Sequence, residues 1–365
     1  MAKTQDSPLQ VAVVGYGLAA KVFHIPFIQA SPLLELNAIV QRKPTKESSA
    51  PDDHPSLAHY TTLDPVLQDP AIDLVVITTP PDSHFNLSKL CLQAGKHILV
   101  EKPFVPTVEE ADQLIGIARE NNRLICVYQN RRWDSDFLTV KGLIKDGIFG
   151  RIYEVDTHFD YYRPEHFETW RGQLGTTEGG GALFDLGAHL IDQAYTLFGV
   201  PSSVYGVLSS QRDGRISPDR PDSVQAQLNY ANGLIVNIRI SDMSVETTQR
   251  RFWIRGTKGS FTKNGRDSQE TQLEAGLAPD ATGFGEEGPA NKGHLVCVDA
   301  DGKFQDRDYI IEAPKTYGGL YEGFVEAIRS GSEDAVPVPP TEAREVLRVI
   351  DAIYRSAKIG QVVEI

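Results

Sequence analysis

At 365 residues the chain exceeds one ordinary core and fits about two domains, and 41% apolar with 23% charged residues excludes collagen-like, disordered and coiled-coil classes. A formal net charge of -13 opposes a phosphate backbone and leaves room only for a local basic pocket, so no nucleic-acid partner is expected. Cys91, Cys126 and Cys297 stand far apart with no C-x-x-C pair, which argues against a disulfide framework and against a metal site.

Residues 1–10 carry no apolar run of signal-peptide length, and 72–77, broken by Asp73, is too short to span a bilayer. A cytoplasmic protein with no membrane partner is expected. The first third then alternates apolar runs with helical stretches, the pattern of a parallel sheet covered by helices. Strands are predicted over 11–14, 35–40, 74–79, 97–100 and 124–128, with helices over 85–94 and 108–121 and Gly95 as a stop for the first. Beyond this point the pattern changes. Residues 151–160, 204–210, 223–230, 234–241, 251–256 and 295–299 read as successive strands of a largely antiparallel sheet. Ala231-Asn232-Gly233 tolerates the positive φ angles of a tight hairpin. Residues 276–293 read as a surface loop and 341–358 as the last helix, closed by Gly360.

After the first strand comes Gly15-Tyr16-Gly17-Leu18-Ala19-Ala20, a G-x-G-x-x-G/A turn entering a helix. Gly15 permits the sharp turn, Gly17 lets backbone approach a pyrophosphate, and the helix start attracts its charge, with Leu18 and Ala19 beside it. The fold class that follows is α/β: a Rossmann dinucleotide-binding domain over 1–128, then an α+β domain with a large, mostly antiparallel open sheet over 129–365. Where an NAD-selective site would place Asp or Glu, the chain has Gln41-Arg42-Lys43. Arg42 and Lys43 suit a 2′-phosphate, so NADP is expected and NAD is the second choice; solvated loop charges are the bland alternative. Thr78 and Thr79 precede a Pro pair that turns the chain at the carboxyl end of the sheet, and His84 opens the next helix, making all three candidate cofactor contacts.

Glu101-Lys102-Pro103 follows the strand over 97–100, and the proline restricts the backbone from which Lys102 projects toward the same edge. Further on, Gly179-Gly180-Gly181 precedes a helical stretch. At about 100° per residue, Asp185, His189 and Asp192 fall on one polar stripe opposite Leu183, Leu186, Leu190, Ala194 and Leu197. Simple i,i+4 pairing of Asp185 with His189 is the structural alternative, against which the glycines would admit a ligand close to backbone.

The Gly15 turn, Glu101-Lys102-Pro103 and Asp185-x-x-x-His189 together resemble the Gfo/Idh/MocA oxidoreductases, across essentially the whole chain. The stretches 129–134 and 159–164 are similar to the NADP-using scyllo-inositol dehydrogenase branch. The resemblance implies a dehydrogenase acting on a polyol or sugar, with Lys102, Asp185 and His189 catalytic. His189 would move the hydroxyl proton, Asp185 anchor hydroxyls or orient His189, and Lys102 stabilise alkoxide charge. Glu101 and Asn130 join the expected cofactor contacts. Arg131, Trp133, Arg163, Trp170 and Arg171 are candidate walls of a substrate pocket, since polyols need hydrogen-bond partners and a flat apolar face. Lys102 and His189 are expected to converge beside the nicotinamide. The resemblance also implies a homo-oligomer paired through the open sheet, and Leu234, Val236, Ile238 and Ile240 are compatible with an occluded face. A non-catalytic dinucleotide sensor of the same fold, or an aldose or dihydrodiol dehydrogenase, is the alternative.

Overall fold

Continuous apolar runs pair where both faces are covered by helices. In the computed structural model, which describes residues 7–288, 291–311 and 316–365, Leu9–Val14 (β1), Leu34–Val40 (β2), Ala58–Tyr60 (β3), Leu74–Ile77 (β4), His97–Glu101 (β5) and Ile125–Tyr128 (β6) form one parallel sheet. Its order is β3-β2-β1-β4-β5-β6, so the order of succession reverses between β1 and β4, the crevice at which such sheets bind ligands. β4 and β6 are buried at every residue. The short edge strand β3, with the sequence Ala-His-Tyr, has no apolar pattern to announce it. Helices cover the sheet at His84–Gln93 and Val108–Glu120, and the second is capped by Thr107 Oγ1 accepting from Glu110 N–H. Gly95, at φ +75°, stops the first.

Two compact units divide the chain. The first takes Met1–Asn130, Gln269–Phe284 and Lys315–Arg344, the second Arg131–Ser268, Gly285–Pro314 and Glu345–Ile365. By contact, the segments 269–284 and 315–344 thus group with the first unit. The helix Gly318–Ser330 belongs with the first unit because Tyr321 stacks on Phe27 at 6.0 Å and 10°. Within the loop expected over 276–293, residues 289–290 lie outside the described residues, as do residues 1–6.

The second unit is built on a ten-stranded sheet. Its strands are Ile152–Asp160 (β7), Ser203–Ser210 (β8), Arg215–Ile216 (β9), Ser223–Asn229 (β10), Ile235–Ser241 (β11), Arg250–Gly256 (β12), Gly259–Asn264 (β13), Gly293–Val298 (β14), Phe304–Tyr309 (β15) and Val363–Glu364 (β16). The order is β15-β14-β13-β12-β7-β11-β10-β8-β16, with β9 on β8, and β7 with β11 is the parallel pair in an otherwise antiparallel ladder. Gly233, at φ +82°, closes the β10–β11 hairpin as its sequence requires. The stripe Leu234, Val236, Ile238 and Ile240 is buried within the chain itself, beneath the helix Ala188–Phe198, which corrects its expected part in an oligomer face. The opposite face is polar instead: Asn237 donates to Asp156 at 2.7 Å, Arg239 to Gln225 at 2.8 Å and Arg255 to Glu154 at 2.6 Å. Among the described residues no helix is long and apolar enough to cross a membrane.

Candidate functional site

Parallel register brings the first motif together. Val14 pairs with Ile77 and Ile77 with Val100, so Gly15, Thr78 and Glu101 succeed one another along the carboxyl edge. Gly15 has φ +104°, and a Cβ there would stand 2.6 Å from Thr78 Oγ1, which itself donates to Val14 O at 3.0 Å. Only glycine closes this turn. Gly17 differs in kind: a Cβ there would meet nothing within 4 Å, and Leu18 beside it is exposed, so backbone is presented to open space. Below the turn, Tyr16 donates to Asp53 at 2.7 Å while Lys21 lies 4.4 Å over its ring. Burial, with Asp53 assisting, holds the Tyr16 hydroxyl above its ordinary range. Ala19 opens a π-turn over Ala19–His24 that feeds the helix Ile25–Ala30. At the end of β2, Arg42 and Lys43 are exposed, and among the described residues neither has an ion-pair partner. These features fit a dinucleotide: an open backbone cradle, with two uncompensated cations one strand away.

Two expected cofactor contacts are structural instead. His84 is fully buried, and its ring nitrogens reach Thr79 O at 2.8 Å and Pro103 O at 2.9 Å, so it offers no surface to a ligand. Burial lowers its pKa, while the carbonyl oxygens of Thr79 and Pro103, which can only accept, pull the other way. The imidazole ties the end of β4 to the loop after β5, where the Lys102-Pro103 peptide is cis. Glu101 likewise turns inward, accepting from His24 Nε2 at 3.0 Å and from Lys102 N–H at 2.9 Å. Both residues hold the loop that carries Lys102, which is half-buried directly after β5. Thr79 accepts from Ser83 Oγ at 2.7 Å, and Asn130 is buried where β6 gives way to a turn. Neither His24 nor its partner Tyr321 was legible as part of this support.

In the second unit, Asp185 sits in a π-turn, Leu183–Gly187, that opens the helix Ala188–Phe198. Such turns interrupt the regular ladder and re-aim side chains. Asp185 is half-exposed, whereas His189 is 5% exposed with its ring edge-on to Phe159 at 6.3 Å. The polar stripe is thus not one open face. Asp192 is buried and accepts from Arg132 Nε at 2.8 Å and Nη2 at 2.7 Å. Next to it, Gln193 donates to Arg131 O and accepts from the fully buried Arg251, which also donates to Asp136 at 3.0 Å and Thr157 at 2.8 Å. Every one of these bonds is long-range in sequence, so the network fixes the helix that carries His189. Arg131, expected as a pocket wall, is buried 3.6 Å from Asp134 and rests 5.3 Å over the Phe159 ring; it supports that helix. Burial pushes Asp134 well above the usual carboxylate range even with Arg131 beside it. Trp133 is half-buried in the same turn.

Asp185 opens instead on a cleft of about 40 Å³ lined by Phe167, Trp170, Arg171, Gly181, Pro221 and Asp242. Trp170 and Arg171, two of the candidate pocket walls, line this cleft. Arg163 stacks 3.6 Å over the Tyr161 ring and lies 3.6 Å from Asp242. Asp242 was missed, since nothing local marks the residue after β11 as a partner of Asp185. Burial raises its carboxyl above the ordinary value, with Arg163 and Arg212 opposing and the Asp185 charge adding to the rise. The Gly triplet packs as well as opens. A Cβ on Gly180 would stand 2.3 Å from Leu174 O, and one on Gly181 would stand 2.9 Å from Pro221 Cδ. Among the described residues no group of three or more His, Cys, Asp or Glu is placed to hold a metal ion.

Residues 9–129 match a family model described as an oxidoreductase family, NAD-binding Rossmann fold, and residues 141–365 match its C-terminal alpha/beta domain. An oxidoreductase of Schizosaccharomyces pombe is 38% identical over 98% of this chain and 100% of its own. The NADP(+)-dependent scyllo-inositol 2-dehydrogenase of Bacillus subtilis is 35% identical over 96% of this chain and 94% of its own. A solved structure of a Bacillus subtilis oxidoreductase superposes with a TM-score of 0.91 at 33% identity, covering 100% of this chain and 99% of the other. The chain belongs to the Gfo/Idh/MocA family of oxidoreductases.

Proposed function

We propose that this protein is an NADP-preferring dehydrogenase that oxidises a carbinol carbon of a cyclic polyol or sugar, or reduces the corresponding carbonyl. The observation that carries the reading is the carboxyl edge of the parallel sheet, where the open Gly17 turn and Lys102 follow strands in register. Gly15, Gly17, Leu18 and Ala19 would hold the pyrophosphate, and Arg42 with Lys43 the 2′-phosphate. Bound NADP(+) supplies the hydride acceptor.

The chain's own residues handle the proton and the charge. As the carbinol C–H bond breaks and its electron pair leaves with the hydrogen, His189 takes the hydroxyl proton; in reduction it returns one. Lys102, as an ammonium, stabilises negative charge on the substrate oxygen. Asp185, half-exposed on its cleft, accepts hydrogen bonds from substrate hydroxyls, with Trp170 offering a flat apolar wall. Similarity to the scyllo-inositol dehydrogenase supports both the cyclic polyol and the cofactor preference.

The test is an initial-rate matrix of inositols and aldoses against both dinucleotides, repeated with His189→Ala and Lys102→Ala. Each variant is expected to keep cofactor affinity and lose about 10²-fold or more in kcat. Near-normal turnover in either variant would overturn its role, and cofactor binding without turnover of any alcohol would favour a dinucleotide sensor.

A further inference from the structure

A second hollow adjoins the Asp185 cleft. It measures about 180 Å³, and Phe167, Arg171, Gly181 and Pro221 line both. Its charges do not balance. Arg215 lies 3.2 Å from Asp213, and Asp222 is matched by Arg212 at 3.1 Å, so those two carboxylates are already served. Arg171 and Arg220 remain. Arg171 rests against the rings of Trp170 at 5.7 Å and Phe167 at 5.9 Å, and among the described residues neither guanidinium has an ion-pair partner. In a chain of net charge -13, two uncompensated cations lining one hollow form the local basic pocket that the overall charge still permits.

The donor chemistry narrows the ligand. Guanidinium groups donate and never accept, so two of them match an oxyanion far better than a neutral hydroxyl, which must also place its own proton. The hollow continues from the cleft in which Asp185 would take substrate hydroxyls. We infer that the substrate is an anionic polyol, with a carboxylate or phosphate group between Arg171 and Arg220 while its hydroxyls reach Asp185. This rests on reading the Asp185 cleft as the substrate side. It departs from a neutral inositol by naming a charged substituent.

Binding without turnover tests the inference separately from the dehydrogenase reading. The cofactor-loaded protein is titrated by calorimetry with glucose, glucuronate and glucose 6-phosphate, in the wild type and in Arg220→Gln and Arg171→Gln. Glucuronate or glucose 6-phosphate is expected to bind at least about tenfold tighter than glucose, and added salt should erode the advantage. Whichever anion shows it identifies the group, and each substitution should shrink the ratio toward one. Equal affinity for all three ligands, or an anion preference that survives both substitutions, overturns the site. If the preference is present but no alcohol is oxidised, the anion site stands and the dehydrogenase reading falls.

Discussion

His24 Nε2 donates to Glu101 Oε1 across 3.0 Å in a fully buried setting, and Tyr321 Oη lies 2.7 Å from His24 Nδ1. Burial keeps the Tyr321 hydroxyl protonated, and it bonds the ring at Nδ1 while Nε2 faces the carboxylate. Burial raises the Glu101 pKa, but the His24 hydrogen bond, with help from Lys102, brings it below the ordinary carboxylate value. His24→Ala therefore leaves the buried Glu101 carboxylate with Lys102 N–H alone and the buried Tyr321 hydroxyl with only Phe23 O, 3.5 Å away. It should cost about 3 kcal/mol, read as a lower urea midpoint with an unchanged slope. A loss below about 0.5 kcal/mol would mean that the bond is not holding the Lys102 loop.

The two glycines of the nucleotide turn should separate stability from binding. Gly15→Ala places a Cβ 2.6 Å from Thr78 Oγ1 on a φ of +104°, and is expected to cost about 1–3 kcal/mol and to abolish dinucleotide binding. Gly17→Ala meets nothing in the protein and should leave thermal stability within about 0.5 kcal/mol. A pyrophosphate close to the backbone would still be displaced, so dinucleotide affinity measured by fluorescence should fall about tenfold or more. Unchanged affinity in Gly17→Ala would remove the cradle from this turn.

What the sequence disclosed follows from how local each signal is. The strands β1, β4, β5 and β6 are continuous apolar runs, and the last helix, Pro340–Ile359, carries its stop signal in Gly360. Short or polar edge strands such as β3 and β15, the latter Phe-Gln-Asp-Arg-Asp-Tyr, take their pairing from a neighbour and show no pattern of their own. The same distinction runs through the candidate residues. Lys102, Asp185 and His189 stand in compact motifs, but Asp242 reaches the Asp185 cleft from 57 positions away in the chain and Tyr321 reaches His24 across 297. Asp192 was misplaced because helical periodicity separates polar from apolar faces without revealing that Arg132 covers the polar one.

Cofactor preference should rest chiefly on Arg42, with Lys43 adding a second charge. Arg42 is exposed at the end of β2, and with no ion-pair partner among the described residues it loses nothing internal when truncated. Arg42→Ala is therefore expected to raise the NADP dissociation constant by about 10- to 100-fold, the range for losing a charge-assisted contact. NAD, which carries a hydroxyl where NADP carries phosphate, should change by less than about twofold. Parallel titrations of the two dinucleotides decide it, and equal loss for both would assign Arg42 to general charge attraction.

Acid sensitivity should be traceable to a histidine far from the chemistry. His97, at the start of β5, accepts the Leu124 N–H on Nδ1 at 3.1 Å, which requires a ring unprotonated at that nitrogen. Burial, with Arg123 adding, lowers its pKa from 6.5 to about 4. The folded state thus binds the proton less tightly than the unfolded one, so stability is retained above pH 6.5 and falls as the pH drops from 6.5 toward 4. The loss assignable to this ring is on the order of 2 kcal/mol after allowance for its partial solvent access. Glu101 acts in the same direction but in a lower window, below the ordinary glutamate value of 4.5. His97→Asn keeps an acceptor near Nδ1 and cannot titrate, so its urea midpoint should decline less than that of the wild type between pH 6.5 and 4. Parallel curves for the two proteins over that interval would show that His97 is protonated in the folded state as readily as in the unfolded chain.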